Sequence, residues 1–198
     1  MDNKIISESQ NKKISFELLY DISENAYTYY PIDNSFTIFK SINNMAFLIF
    51  VNKINSIISF DLIRNKKIAE IKYAHNEQIT NVRYFYDKMN KKDLILTISS
   101  EDKNIKIWDI NNWSILFDIK EIYKKGCLNS ACIFTDNVYN YIITCNDNYE
   151  LTEKIKVINY KLKKVEEIND SNDRTDFIDT YYNDNIKSNI YIITGNLG

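Results

Sequence analysis

The chain repeats itself. The segments NSIISFD (Asn55–Asp61), KNIKIWD (Lys103–Asp109) and EKIKVIN (Glu153–Asn159) superimpose without gaps, so Phe60, Trp108 and Ile158 share one position. Asp61, Asp109 and Asn159 share the next. Upstream lies a second set: AFLIFVN from Ala46, LILTISS from Leu94, YIITCND from Tyr141 and YIITGN from Tyr191. Downstream of each first-set segment comes a third stretch, at Lys66–Lys72, Ser114–Lys120 and Lys164–Asn169. A fourth precedes each second-set segment, at Phe36–Phe39, Ile79–Phe85, Ala131–Phe134 and Phe177–Tyr182. Equivalent residues are about 47 to 50 positions apart. A unit of that size cannot bury its own faces, so the units must stack on one another.

Each unit reads as four short strands. The runs are short and rich in Ile, Tyr, Phe and Val, which favours strand over helix. Alternation shows in IKIWD, where Ile105 and Ile107 share a face and Lys106 points the other way. The links NKIN, SEDKN, DINN, DLIRN and TDN are turn-like. With 3 glycines and 27 asparagines in the chain, Asn and Asp are expected to take the left-handed turn conformations. The expected class is all-β, with small sheets arranged radially around an axis.

Composition narrows the chemistry. Lys+Arg 25 against Asp+Glu 27 leaves a net charge of -2, so no overall field draws in nucleic acid. One histidine and three glycines exclude a histidine-rich metal centre, a glycine-rich phosphate loop and a dinucleotide fingerprint. Cys127, Cys132 and Cys145 lack a CxxC pair and read as reduced thiols acting as small hydrophobes. No metal site and no cofactor are expected. The N-terminal MDNKIISESQNKKISF has no apolar stretch of signal-peptide length, and the longest apolar run, Ala46–Val51, is far too short to cross a membrane. An intracellular place, cytoplasmic or nuclear, is expected.

The second unit carries a family resemblance. Ala74-His75, the following ITNVRYF and LILTISSEDKNIKIWD, and the closing Trp108-Asp109 resemble a WD40 repeat. Ala74-His75 stands where that family has Gly-His, Asp102 where it has its turn aspartate, and Trp108-Asp109 where it has the name-giving dipeptide. Phe60-Asp61 and Ile158-Asn159 replace that dipeptide in the neighbouring units. The resemblance in strand order covers residues 35–198, the specific motif only 74–109.

The resemblance implies a partial WD40-like β-propeller of four-stranded antiparallel blades. Blades are expected at 35–73, 74–122 and 123–170, with an incomplete fourth at 171–198. The segment 1–34 would contribute an orphan outer strand, ISFELLYDI. Because the fourth unit stops at GNLG, the chain reads as part of a larger ring or an open arc. The resemblance also implies a hydrogen-bonded set of His75, Asp102 and Trp108 inside the second blade, with a strand hydroxyl as its fourth member. Ser100 is the nearest hydroxyl, while the equivalent position falls at Ile98. A buried indole N–H and imidazole need such partners, which makes His75 structural instead of a catalytic base.

For binding, the resemblance points to the loop face where Thr80 and Glu101 lie, with Lys53 as the first-unit counterpart of Glu101. Trp113, in the NNWS turn, is expected to pack on an outer strand. The acids from Glu166 to Asp184 read as a solvated outer strand and loop. The implied function is a non-catalytic scaffold for other proteins, with no membrane, no small-molecule substrate and no direct nucleic-acid contact. The alternative is a subunit of a ribonucleoprotein or RNA-processing complex.

Overall fold

The structure is a computed structural model that describes residues 36–52, 54–135, 139–146, 155–168, 177–182 and 190–195. The expected N-terminal strand and Lys53 lie outside the described residues. The elements among those described are strands joined by turns. The first sheet comprises β1 (Phe36–Lys40), β2 (Ala46–Val51), β3 (Ile57–Asp61) and β4 (Lys66–Ile71), in the order β1-β2-β3-β4. The second repeats that order with β5 (Ile79–Asp87), β6 (Lys92–Ser99), β7 (Asn104–Asp109) and β8 (Ile115–Ile119). The third does so with β9 (Leu128–Thr135), β10 (Asn140–Asn146), β11 (Ile155–Asn159) and β12 (Lys164–Ile168). Strands β13 (Phe177–Tyr182) and β14 (Ile190–Gly195) form a two-stranded antiparallel pair.

The sheets stack face to face, and strand alternation decides what each face buries. In the second sheet, Leu96 pairs with Ile107 and Ile98 with Ile105, so these four point together. They meet Leu128, Ala131 and Ile142 of the third sheet in one core. The opposite face carries Ile95 and Trp108, which pack on Phe47, Ile49 and Ile57 of the first sheet. A third core joins Cys132, Ile143 and Cys145 to Ile178 of β13. Strand β6 is therefore buried on both faces, with Leu94, Leu96 and Ile98 toward the third sheet and Ile95 and Thr97 toward the first. The outer strands β4, β8 and β12 stay largely exposed, with Lys66-Lys67 and Lys164 at their edges.

The innermost strands β1, β5, β9 and β13 lie side by side around the axis. Arg83 on β5 spans two sheets there: its Nη1 pairs with Asp179 Oδ1 at 2.9 Å, and its Nη2 donates to the Ile178 carbonyl at 3.3 Å. Ser130 on β9 donates to the same carbonyl at 3.4 Å. This corrects the sequence expectation for Asp179 alone: Glu166 and Glu167 lie on the exposed outer strand β12 as expected, and Asp170, Asp173, Asp176 and Asp184 lie outside the described residues. Asp179 belongs to an inner strand and has a cationic partner from a distant unit, which no local spacing could reveal.

The backbone repeats as closely as the strands. Left-handed residues recur at Asn44 and Lys91 in the first turn of the blade, and at Asn55 and Lys103 in the second. They recur again at Asn65, Trp113 and Lys163 in the third turn, and at Tyr73 and Glu121 in the linker. The expectation that Asn and Asp supply these positions holds only in the first sheet. Blade geometry fixes where φ turns positive, and in a glycine-poor chain whatever residue stands there must adopt it, at a cost of about 1–2 kcal/mol. Lys91→Asn and Lys163→Asn should therefore each raise stability by about 0.5–1 kcal/mol, because Asn tolerates this region better. Thermal unfolding of the two single variants checks this; a lowered midpoint in both contradicts it.

Candidate functional site

The most elaborate side-chain arrangement lies in the second sheet. Trp108 Nε1 donates to Thr97 Oγ1 at 2.8 Å, and the same oxygen lies 2.8 Å from His75 Nε2. All three residues are buried, Trp108 being 3% exposed. Thr97 Oγ1 thus joins the indole to the imidazole, and His75 Nδ1 is buried without a partner among the described residues. Burial, reinforced by the Lys106 ammonium, pushes the His75 pKa from 6.5 down to about 3, with Asp102 opposing. At neutral pH, His75 is an uncharged ring held in a hydrogen-bond chain.

The structure places the sequence-nominated residues in two groups. His75 and Trp108 share Thr97, which the sequence reading missed. Ser100 is not the hydroxyl of this set: it sits past the end of β6, where its carbonyl accepts from Lys103 and Leu128 backbone N–H groups. Ile98 points to the opposite face, into the core against the third sheet. Register explains the difference. Thr97 pairs with Lys106, two residues from Trp108 on the same face, so only Thr97 can reach the indole. Asp102 instead accepts from the backbone N–H groups of Asn76 and Glu77 at 3.0 and 3.1 Å. It thereby ties the turn after β6 to the linker carrying His75.

The third sheet rebuilds the device with other residues. Tyr123 stands where His75 does and donates to the Thr144 carbonyl at 2.7 Å, while Thr144 Oγ1 donates back to its hydroxyl at 3.4 Å. Lys106 Nζ donates to the Ala74 carbonyl at 2.6 Å, and Lys156 Nζ to the Ile122 carbonyl at 2.8 Å. Each ammonium also lies over an aromatic ring, Trp108 and Tyr123 respectively. In the first sheet the corresponding positions are the apolar Phe50, Ile58 and Phe60, all buried. One geometry thus has a polar clasp twice and an apolar one once. Four-stranded sheets stacked around inner strands, with a histidine–hydroxyl–tryptophan chain in one of them, decide the fold. It is an arc of four-stranded antiparallel blades with a propeller-like arrangement.

No protein-family model matches the sequence, and no curated protein matches it. Among solved structures, the WD40 repeats of RRP9 superimpose with a TM-score of 0.48 at 14% identity. The match covers 73% of this chain and 41% of that one, so this chain spans less than half of the other's length.

Removing the shared hydroxyl tests the clasp. Thr97→Val keeps shape but leaves a buried indole N–H and imidazole nitrogen without their partner, and should cost about 2–4 kcal/mol. Ser100→Ala should cost less than about 0.5 kcal/mol. Urea midpoints of the two variants decide it, and equal shifts would show that Thr97 is not the linchpin.

Of the residues nominated for binding, Glu101 is exposed at the turn between β6 and β7, close to the exposed Asn76 and Glu77. Thr80 is different. It is the extra residue of a bulge in β5, between Ile79 and Asn81, and its hydroxyl is enclosed without a partner among the described residues. Backbone bonds brace this end of the blades: the Ala74 N–H donates to Asn55 at 2.9 Å and the Ile122 N–H to Lys103 at 3.4 Å. Among the described residues, no cluster of three His, Cys, Asp or Glu side chains could hold a metal. Burial raises the Cys132 thiol to about 12, far from a reactive thiolate. No helix among these residues is long and apolar enough to cross a membrane.

Proposed function

We propose that the chain is a non-catalytic protein-interaction scaffold, a part-propeller whose loops are held rigid so that a partner docks without ordering them first. The observation that carries this reading is the bracing of the loop end. Asp102 ties Asn76 and Glu77 to the turn beside Glu101, and Lys103 Nζ ties that turn to the Lys124 carbonyl at 2.9 Å. A preorganised surface avoids much of the entropy loss of association. Two groups that could act as base or nucleophile, His75 and Cys132, are buried and neutral, which supports a structural role for them over a chemical one.

Partners dock on the Glu101 face, with Glu77 taking the place that the sequence gave to Thr80. Reversing both charges, Glu77→Lys with Glu101→Lys, changes two exposed side chains and leaves the clasp intact. Partner recovery from cell extract should fall for at least one partner. An unchanged partner set removes this face from consideration.

A further inference from the structure

A second feature lies at the opposite end of the blades. Between the first two sheets, on the side of the β1–β2, β3–β4 and β7–β8 turns, opens a cleft of about 300 Å³. That volume is at the lower end for a ligand pocket and suits one large side chain with its backbone. Its apolar lining comes from Phe47, Met45, Ile110 and the half-buried Trp113, beside the polar Ser41, Asn43 and Asn111. Around the mouth stand three cations, Arg64, Lys66 and Lys67, all exposed.

Three details single out this cleft. Ser59, 1% exposed, lines it, and its hydroxyl has no hydrogen-bond partner among the described residues. A buried, unmatched hydroxyl is costly and fits a site whose partner comes from outside. Trp113 holds φ at 56°, a conformation that bulky residues avoid, at a turn position where the sister units have Asn65 and Lys163. The charge is also lopsided. The carboxylate of Asp93 in the wall is already engaged by the Tyr84 hydroxyl at 2.8 Å and the Ile42 N–H at 3.3 Å. Lys67 pairs with Glu70 at 2.9 Å and Arg64 with Asp61 at 3.7 Å, whereas Lys66 carries its charge at the mouth beside them.

We propose that this cleft binds a short acidic peptide segment of a partner protein, seating one apolar side chain on Trp113 and Phe47 while flanking carboxylates meet Lys66, Lys67 and Arg64. The inference rests on the scaffold reading but uses the face opposite Glu101. A nucleotide strand fits less well, because one indole offers a single stacking wall.

Trp113 is one of 2 tryptophans, and the other is buried, so its fluorescence reports on the cleft directly. The probe is a synthetic heptapeptide with glutamates flanking a central Leu–Phe pair, titrated into the whole chain at low salt. Expected are a saturable change in emission, weakening as salt is added, and loss of about tenfold or more in affinity in Lys66→Glu with Lys67→Glu. Both lysines are exposed on an outer strand, so that variant should keep its unfolding midpoint, and Ser59→Ala provides a second, charge-neutral variant with weakened binding. No saturable change, equal binding by the charge-reversed variant, or preferential binding of an oligouridine in competition would each overturn the proposal. If the peptide fails while Glu77→Lys with Glu101→Lys still alters partner recovery, the cleft is wrong and the scaffold stands; if both fail, both are wrong.

Discussion

Trp108→Ala is expected to destabilise the chain by about 3–5 kcal/mol, the usual cost of emptying a buried aromatic site. Trp108 is 3% exposed and sits in the core between the first two sheets, against Phe47, Ile49 and Val82. The substitution also takes the indole donor from Thr97 and the ring from under Lys106 Nζ, which lies 5.7 Å from its centroid. Trp113→Ala should cost much less, because its ring is half-buried and its left-handed backbone is relieved of a bulky side chain. Denaturant unfolding of both variants is decisive. Equal midpoint shifts would show that the clasp carries no more weight than the turn.

The second large effect is on pH. His75 is the single histidine of the chain, and burial holds its pKa near 3 against 6.5 for a free imidazole. The folded state therefore binds fewer protons than the unfolded one between those values. Stability is fully present above about 6.5, and it falls as pH drops through that window until the folded ring itself protonates. The total is on the order of 4 kcal/mol. Asp87 and Asp109 add a separate loss at lower pH. Burial pushes both up, but hydrogen bonds from Asn90 and Lys92 outweigh it and leave them below the usual 3.8. The upper half of the acid limb thus belongs to His75. His75→Gln, uncharged throughout, should show a nearly flat stability between about pH 6.5 and 4.5, whereas the wild type declines. A parallel decline in the variant would place the acid sensitivity elsewhere.

The residues that the sequence nominated and the residues that do the work overlap unevenly, and strand geometry explains where. The period of the apolar segments and the strand runs were legible in the chain, while the set of His75 with Trp108 came from the resemblance, which also counted Asp102 and Ser100 in it. The hydroxyl was there to be read too: LILT, YIIT and YIIT carry Thr97, Thr144 and Thr194 at one position of the second-set strand. Choosing it needed the register, because shifting one residue along a strand moves a side chain to the opposite face. Ile98, one residue on, faces a different core.

What the sequence determined by itself is the repeat, hence stacked four-stranded sheets, since short amphipathic units at this spacing have no other way to bury their faces. What only the tertiary structure decided are contacts between residues of unrelated spacing. Arg83 meets Asp179 because inner strands of different units converge on one axis. Trp113 meets Lys66 and Ser59 around one cleft because turns of adjacent sheets come together at one end. Tyr123 replaces His75 because either side chain can reach the strand threonine from the same linker position. Periodicity along the chain encodes which face a residue takes; which other unit it meets depends on how the sheets are rotated onto each other, and that is set by the packed core as a whole.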